Sequence, residues 1–395
     1  MTEQLQALFA VTLIAALAPV VVALLPGRIP QVVVFLVGGV IIGPQVLNIA
    51  SPDQLQLLAT VGLGMLFLLA GYELPPLLLR QRPGQLALVG WGVSVAVAIS
   101  VVGVLAATGF VRAFVPVALA LTTTALGTLL PILRDNNMLV GAFGEDIFAA
   151  GAVGELGPVL AISLFLGING SWESALAIAS VTALAFLLAK VTRVLSDSKV
   201  GSVVHATQDA TSQSALRWTI TLLVCLLLVT ETFGLDAVLG AFLAGMALRR
   251  SSAMPEEQHQ RLLLKLDAVG YGFFIPVFFV VSGMGLDIAS IAQNPLRLVV
   301  FFVLLLAVRG VPSLLVYRSA LPMRERVELM FLTATALPLL VALAHIGLEN
   351  GTMLPENAAA LVGAGALSVA VFPTVATRLH RKDPVDEGAP VRNSP

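Results

Sequence analysis

Runs of about twenty residues without a charge follow one another along almost the whole chain. A run of that length is what a helix needs to cross the hydrocarbon core of a bilayer. Composition agrees with the pattern: of 395 residues, 58% are hydrophobic and only 11% are charged, against about 25% in soluble domains. A soluble fold has no interior large enough to hide that surface. The runs are continuous rather than alternating, which excludes the strands of an outer-membrane barrel. The single Cys225 excludes an intramolecular disulfide, and the four histidines show no metal-ligand spacing. The first run follows an acidic Met-Thr-Glu start without a basic region, so it reads as a span rather than a cleaved signal.

Thirteen spans are expected: Leu5–Leu25, Pro30–Asn48, Leu55–Tyr72, Gln85–Thr108, Val115–Leu133, Gly141–Leu166, Ser174–Lys190, Ser214–Thr230, Phe233–Ala247, Leu262–Met284, Leu296–Val316, Glu328–Gly347 and Asn357–Ala376. An odd number puts the termini on opposite sides. Of the 22 lysines and arginines, 19 lie in or beside the segments after the odd-numbered spans. Arg112 and Arg297 lie on the other side, and Arg309 sits inside a span. Cytoplasmic loops carry the excess of Lys and Arg. The N-terminus is therefore expected outside and the C-terminus in the cytoplasm, with an inner-membrane location. The longest polar stretch, residues 191–213, contains no nucleotide-binding motif. Tyr72, Trp91, Trp172, Trp218 and Tyr317 are placed where an interfacial aromatic belt would be.

Three short motifs recur in order. Phe35-Leu36-Val37-Gly38 returns as Phe242-Leu243-Ala244-Gly245, at an offset of 207. Phe67 to Gly71 returns as Phe279 to Gly283, at 212, and Leu121-Thr122-Thr123-Thr124-Ala125-Leu126 as Leu332-Thr333-Ala334-Thr335-Ala336-Leu337, at 211. The offset equals seven spans, so the halves run in opposite directions: spans 1–6 repeat as 8–13. Inverted repeats are a transporter architecture with the site near the midplane, at unwound stretches in matching positions of the two halves. The threonine segments fit. Thr122, Thr123 and Thr124 precede Gly127 and Pro131, and Thr333 and Thr335 precede Pro338. Hydroxyls beside Gly or Pro weaken a helix and serve the freed backbone groups. Threonines that merely bond their own helix are the alternative; the recurrence in both halves favours the functional reading.

Charges inside the spans are few and expensive. Glu155 lies fourteen residues past Gly141, about 21 Å along a helix, near the bilayer centre. Gly151, Gly154 and Gly157 surround it and Pro158 follows. Arg309 is the candidate charge partner; the alternative is that its guanidinium bonds the carbonyls of a broken helix. One carboxylate can hold a proton or a small cation but not both, so alternating access around Glu155 would exchange the two without ATP. Glu73, Glu145 and Asp146 are candidates for a cytoplasmic funnel that draws in cations, or for solvated helix ends.

These residues resemble the monovalent cation:proton antiporter superfamily, in particular its Kef-type and sodium/proton exchanger branches. The likeness runs through PQVVVFLVGGVIIGP (30–44), GLGMLFLLAGYEL (62–74), ALALTTTALGTLLPIL (118–133), GLDAVLGAFLAGMAL (234–248) and FFIPVFFVVSGMGLD (273–287). The resemblance implies two inverted six-helix repeats in which spans 5 and 12 cross as broken helices. It implies interface helices over 1–84 and 214–290, a mobile core over 85–170 and 291–380, a linker over 171–213 and a short tail over 381–395. It also implies a homodimer that works as an elevator, with no cofactor and no nucleic-acid partner, only the bilayer, protons and a monovalent cation. The family's sixth helix carries a polar residue followed by Asp; the matching positions here are Gly154 and Glu155. Arg309, in VRGVPSLL, resembles the electroneutral members. The expected function is Na+ or K+ exchange for protons, with the cation at Glu155, Thr123, Thr124 and Gly154. A Kef-like potassium efflux pathway and a non-transporting sensor with the same fold are the alternatives.

Overall fold

The computed structural model describes residues 2–24, 30–73, 80–165, 213–233, 237–251, 256–349 and 351–380, with residues 179, 180, 182, 183 and 187. Among the described residues there is no strand. Among the same residues eight helices are long and apolar enough to cross a membrane, and Gln31–Ile42, Phe114–Leu130 and Ala237–Arg249 are shorter apolar helical segments. The chain is a multi-pass membrane protein. The expected seventh span, the polar stretch after it and the tail after His380 fall almost wholly outside the described residues.

The first half contains α1 (Thr2–Leu24), α2 (Gln31–Ile42), α3 (Gln56–Glu73), α4 (Arg82–Ala107), α5 (Phe114–Leu121), α6 (Leu126–Asp135) and α7 (Gly141–Phe165). The second half contains α8 (Ser214–Thr232), α9 (Ala237–Ser251), α10 (Glu256–Val269), α11 (Ile275–Met284), α12 (Ile288–Gln293), α13 (Pro295–Leu304), α14 (Val311–Val316), α15 (Met323–Thr333), α16 (Pro338–Glu349) and α17 (Pro355–His380). Two wide π-helical turns, Gly270–Phe274 and Leu305–Gly310, join α10 to α11 and α13 to α14.

The helices pack in two groups. In one, α3 lies on α9 and α11, α2 on α11, and α1 and α8 against these. In the other, α4 lies on α7, and α17 collects α13, α15 and α16. The repeated Phe-rich motifs explain the first group. Gly71 of α3 faces the Phe242 carbonyl of α9, and Gly245 of α9 faces the Leu68 carbonyl of α3. Gly39 of α2 and Gly283 of α11 meet the carbonyls of Val280 and Leu36 in the same reciprocal way. Each glycine lets two backbones touch, as in many membrane helix pairs. The internal repeat is thus a packing device, since each motif of one half crosses one of the other half.

Two of the tyrosines assigned to an aromatic belt are core residues instead. Tyr72 and Tyr317 are both buried. The Tyr72 hydroxyl reaches His259 Nδ1 at 2.7 Å, so burial in protein satisfies its polar end where the belt would have used water. Trp218 remains exposed.

Candidate functional site

Both threonine segments are helix breaks. The fifth expected span ends one helix at Leu121 and starts another at Leu126; the twelfth ends at Thr333 and resumes at Pro338. Pro338 opens α16 at a position where a missing N–H has no cost. The ends left by each break are satisfied locally. Thr122 Oγ1 donates to the Leu119 carbonyl and Thr123 Oγ1 to the Ala120 carbonyl, both at 2.8 Å. Thr333 Oγ1 donates to the Leu329 carbonyl at 2.8 Å and Thr335 Oγ1 to the Phe331 carbonyl at 3.1 Å. Bonding carbonyls of their own helices is thus how these threonines satisfy the helix ends at the breaks.

The two breaks are stitched to each other. Ala125 N–H donates to the Thr335 carbonyl at 2.8 Å, and Thr124 Oγ1 donates to the Thr333 carbonyl at 2.6 Å. Thr124 N–H donates to the Gly154 carbonyl of α7 at 2.9 Å. Non-helical backbone of one break therefore meets non-helical backbone of the other beside the deep carboxylate.

Glu155 is 2% exposed. The N–H groups of Gly127 and Leu126, at the start of α6, face its carboxyl, where a helix N-terminus favours negative charge. Its Oε2 is buried and has no hydrogen-bond partner. A tight cleft opens beside it, lined by Glu155 with residues 123–125 of the first break and 336–339 of the second. Thr123, Thr124 and Glu155 thus line one cleft.

Arg309 does not pair with Glu155. It lies in the π-helical turn Leu305–Gly310 and is 2% exposed. Its Nε donates to Thr124 Oγ1 at 2.9 Å and its Nη2 to the Ala150 carbonyl at 2.8 Å. The direct ion pair is absent for a geometric reason. A Cβ on Gly154 would lie 2.5 Å from Arg309 Nη2 and 2.5 Å from Thr124 Oγ1, so the guanidinium fills the face of α7 that Gly154 leaves empty. The next residue along a helix points about 100° away, which carries Glu155 to the cleft instead. Gly154 contributes a carbonyl to Thr124 and room for Arg309; having no side chain, it brings no side-chain ligand.

The proposed funnel residues separate. Glu73, at the end of α3, pairs through Oε1 with Arg134 of α6 at 2.9 Å. Its side chain is 9% exposed, and Oε2 is buried without a partner. Asp146 is buried while Glu145 is exposed, so adjacent acids of α7 face different surroundings. Pro131 lies inside α6 rather than at the break. A proline has no N–H for the carbonyl four residues earlier; that carbonyl, of Gly127, accepts the Tyr271 hydroxyl at 2.9 Å instead.

Three participants were not singled out from the sequence. Tyr271 has the proline of α6 as its only linear signal. Ser313 meets Thr333, Oγ to Oγ1, at 3.3 Å. Ser368 of α17 accepts the Ala336 N–H at 3.0 Å. Serines on apolar helices carry no motif by themselves.

A family model described as "Sodium/hydrogen exchanger, transmembrane" matches residues 11–382. The chain is 27% identical to YjbQ of Bacillus subtilis, named for Na(+)/H(+) antiport, over 95% of this chain and 63% of that one. It is 30% identical to a protein of Methanocaldococcus jannaschii named a probable Na(+)/H(+) antiporter, over 67% of each chain. It is 26% identical to the glutathione-regulated potassium-efflux system protein KefC of Salmonella heidelberg, over 96% of this chain and 61% of that one. The chain thus spans under two thirds of the length of YjbQ and of KefC. In fold it matches the solved sodium proton antiporter MjNhaP1 of Methanocaldococcus jannaschii, with a TM-score of 0.66 and 16% identity, over 96% of this chain and 99% of that one.

Proposed function

Because the chain belongs to the sodium/hydrogen exchanger family, a family of membrane transporters, we propose that it exchanges a monovalent cation, Na+ or K+, for protons. The observation that carries this reading is Glu155: a buried carboxylate with a free oxygen, at the crossing of two broken helices. A proton neutralises that oxygen, and so does a small cation, and the cleft holds one or the other. Exchange by competition follows, with no cofactor. Thr123 and Thr124 complete the cation site with oxygens of the first break; the Thr124 hydroxyl oxygen already accepts from Arg309 Nε, which leaves that residue its backbone carbonyl.

One carboxylate beside an arginine already held by neutral groups gives one cation for one proton, an electroneutral cycle. The group of α4–α7 and α13–α17, residues 85–170 and 291–380, moves as the core. Residues 1–84 and 214–290 form the interface helices of a homodimer. The motion is an elevator. The protein sits in the cell membrane, N-terminus outside and C-terminus in the cytoplasm, as the Lys/Arg bias favours. The likeness to KefC supports K+ as well as Na+ as the cation.

The test is reconstitution of the purified protein into vesicles containing a pH-sensitive dye. Adding Na+ or K+ dissipates an imposed proton gradient, and Glu155→Gln abolishes the effect. Wild-type vesicles that show no cation-driven proton flux would sink the antiport reading in favour of a non-transporting sensor. A flux that responds to membrane potential would rule out the one-for-one cycle.

A further inference from the structure

The two breaks are related by the repeat, and their hydrogen bonds are not. At the offset of 211, Thr124 matches Thr335 and Ala125 matches Ala336. Ala125 N–H donates to the Thr335 carbonyl at 2.8 Å. Symmetry would have Ala336 N–H donate to the Thr124 carbonyl in return. It donates instead to Ser368 Oγ at 3.0 Å. Among the described residues no donor reaches the Thr124 carbonyl.

Ser368 is built to divert that N–H. It is 0% exposed, and its hydroxyl hydrogen is engaged by the Gly365 carbonyl at 2.7 Å, with the Ala336 carbonyl at 3.0 Å. Gly365 sits one turn before it on the same face of α17, and a Cβ there would lie 2.8 Å from the Ala336 carbonyl. That glycine is what lets α17 come close enough for the serine to reach. The first half has no counterpart. The position matching Ser368 is Gly157, whose open face is filled by the Trp91 indole.

A buried backbone carbonyl without a donor is uncommon and calls for a partner. Thr124 is buried and lines the same cleft as Glu155, whose Oε2 also lacks a partner. We infer that Ser368 is a positioning residue for the cation site: by taking the Ala336 N–H, it leaves the Thr124 carbonyl free to serve as a cation ligand beside Glu155. The inference deepens the antiport reading and rests on it for the identity of the ion. It accounts for an oxygen-rich site in a chain that has glycine at 154.

The experiment compares wild type, Ser368→Ala and Ser368→Thr. Proton flux in vesicles is followed against Na+ and K+ concentration, and thermal stability in detergent is followed against the same salts with choline chloride as control. Without the hydroxyl, Ala336 N–H turns to the Thr124 carbonyl. Ser368→Ala then raises the half-saturating cation concentration about 10-fold, the scale of one hydrogen bond, with the maximal rate reduced less than about 3-fold. Ser368→Thr restores wild-type half-saturation. Ser368→Cys keeps the volume with a weaker acceptor and stands in if Ser368→Ala is not recovered folded. An unchanged half-saturation, or a fall in maximal rate alone, overturns the inference. If wild type is inert in flux but stabilised by Na+ or K+, and Ser368→Ala needs about 10-fold more salt, antiport fails and the role of Ser368 stands. If neither cation stabilises wild type, the inference fails.

Discussion

Arg309 occupies the volume that any side chain at Gly154 would need: the Cβ position lies 2.5 Å from its Nη2. The glycine and the arginine are therefore one unit, although 155 residues separate them in the chain. The guanidinium bonds Thr124 Oγ1 and the Ala150 carbonyl at once, tying π-helical turn, first break and α7 together. A fork of this kind suits arginine and not lysine.

Gly154→Ala is expected to destabilise the protein by displacing Arg309, at about 1–3 kcal/mol for an overpacked site. In an Arg309→Ala background the contact with Nη2 is gone and the one with Thr124 Oγ1 at 2.5 Å remains, so the same change costs less than in wild type. The double-mutant cycle, read from thermal unfolding in detergent, should show a coupling of about 1 kcal/mol or more. Additive effects would mean the two residues do not share that space. Gly154→Asn, which supplies the polar residue of related antiporters, is expected to reduce flux rather than improve it.

Tyr271→Phe removes the donor to the Gly127 carbonyl and leaves a buried acceptor empty, a loss of about 1–3 kcal/mol. Pro131→Ala returns the helical N–H to that carbonyl. The double variant should recover the thermal midpoint lost by Tyr271→Phe; no recovery would show that the hydroxyl acts on something other than Gly127.

Gly71→Val and Gly245→Val each drive a side chain into a facing backbone carbonyl, of Phe242 and Leu68 respectively. Backbone yields less readily than a side chain, so both variants should lose monodisperse protein on size-exclusion chromatography. Gly92→Val, with nothing within 4 Å of its Cβ, is the control and should behave as wild type.

Asp287 caps α12 outside the membrane spans: its Oδ1 accepts the Ser290 N–H at 3.0 Å and its Oδ2 the Ser290 hydroxyl at 2.6 Å. These two bonds hold its carboxyl below the usual carboxylate range. The sign follows: the cap is intact above the ordinary carboxylate pKa and is lost as pH falls through the depressed value. Protection of the Ser290 and Ile291 amides, measured relative to their intrinsic exchange rates, should fall on acidification below pH of about 4, and in Asp287→Asn it should be less sensitive to pH.

The linear pattern carried the architecture because lipid imposes a length and an apolar composition on every span, and both are local properties. The spans, the repeat and the two Thr-rich breaks are legible in that way. So is Glu155, since a carboxylate deep in an apolar run stands out against its neighbours. Which groups meet was not legible. The expected partner of Glu155 was the lone buried arginine, chosen on charge alone. In the fold a missing Cβ at Gly154 draws the guanidinium to neutral oxygens. Tyr271 and Ser368 carry no charge and belong to no motif, yet both satisfy backbone atoms at the breaks. Hydrophobic length is set residue by residue along the chain; hydrogen-bond pairing of freed backbone is set by which helices cross, and only the tertiary structure decides that.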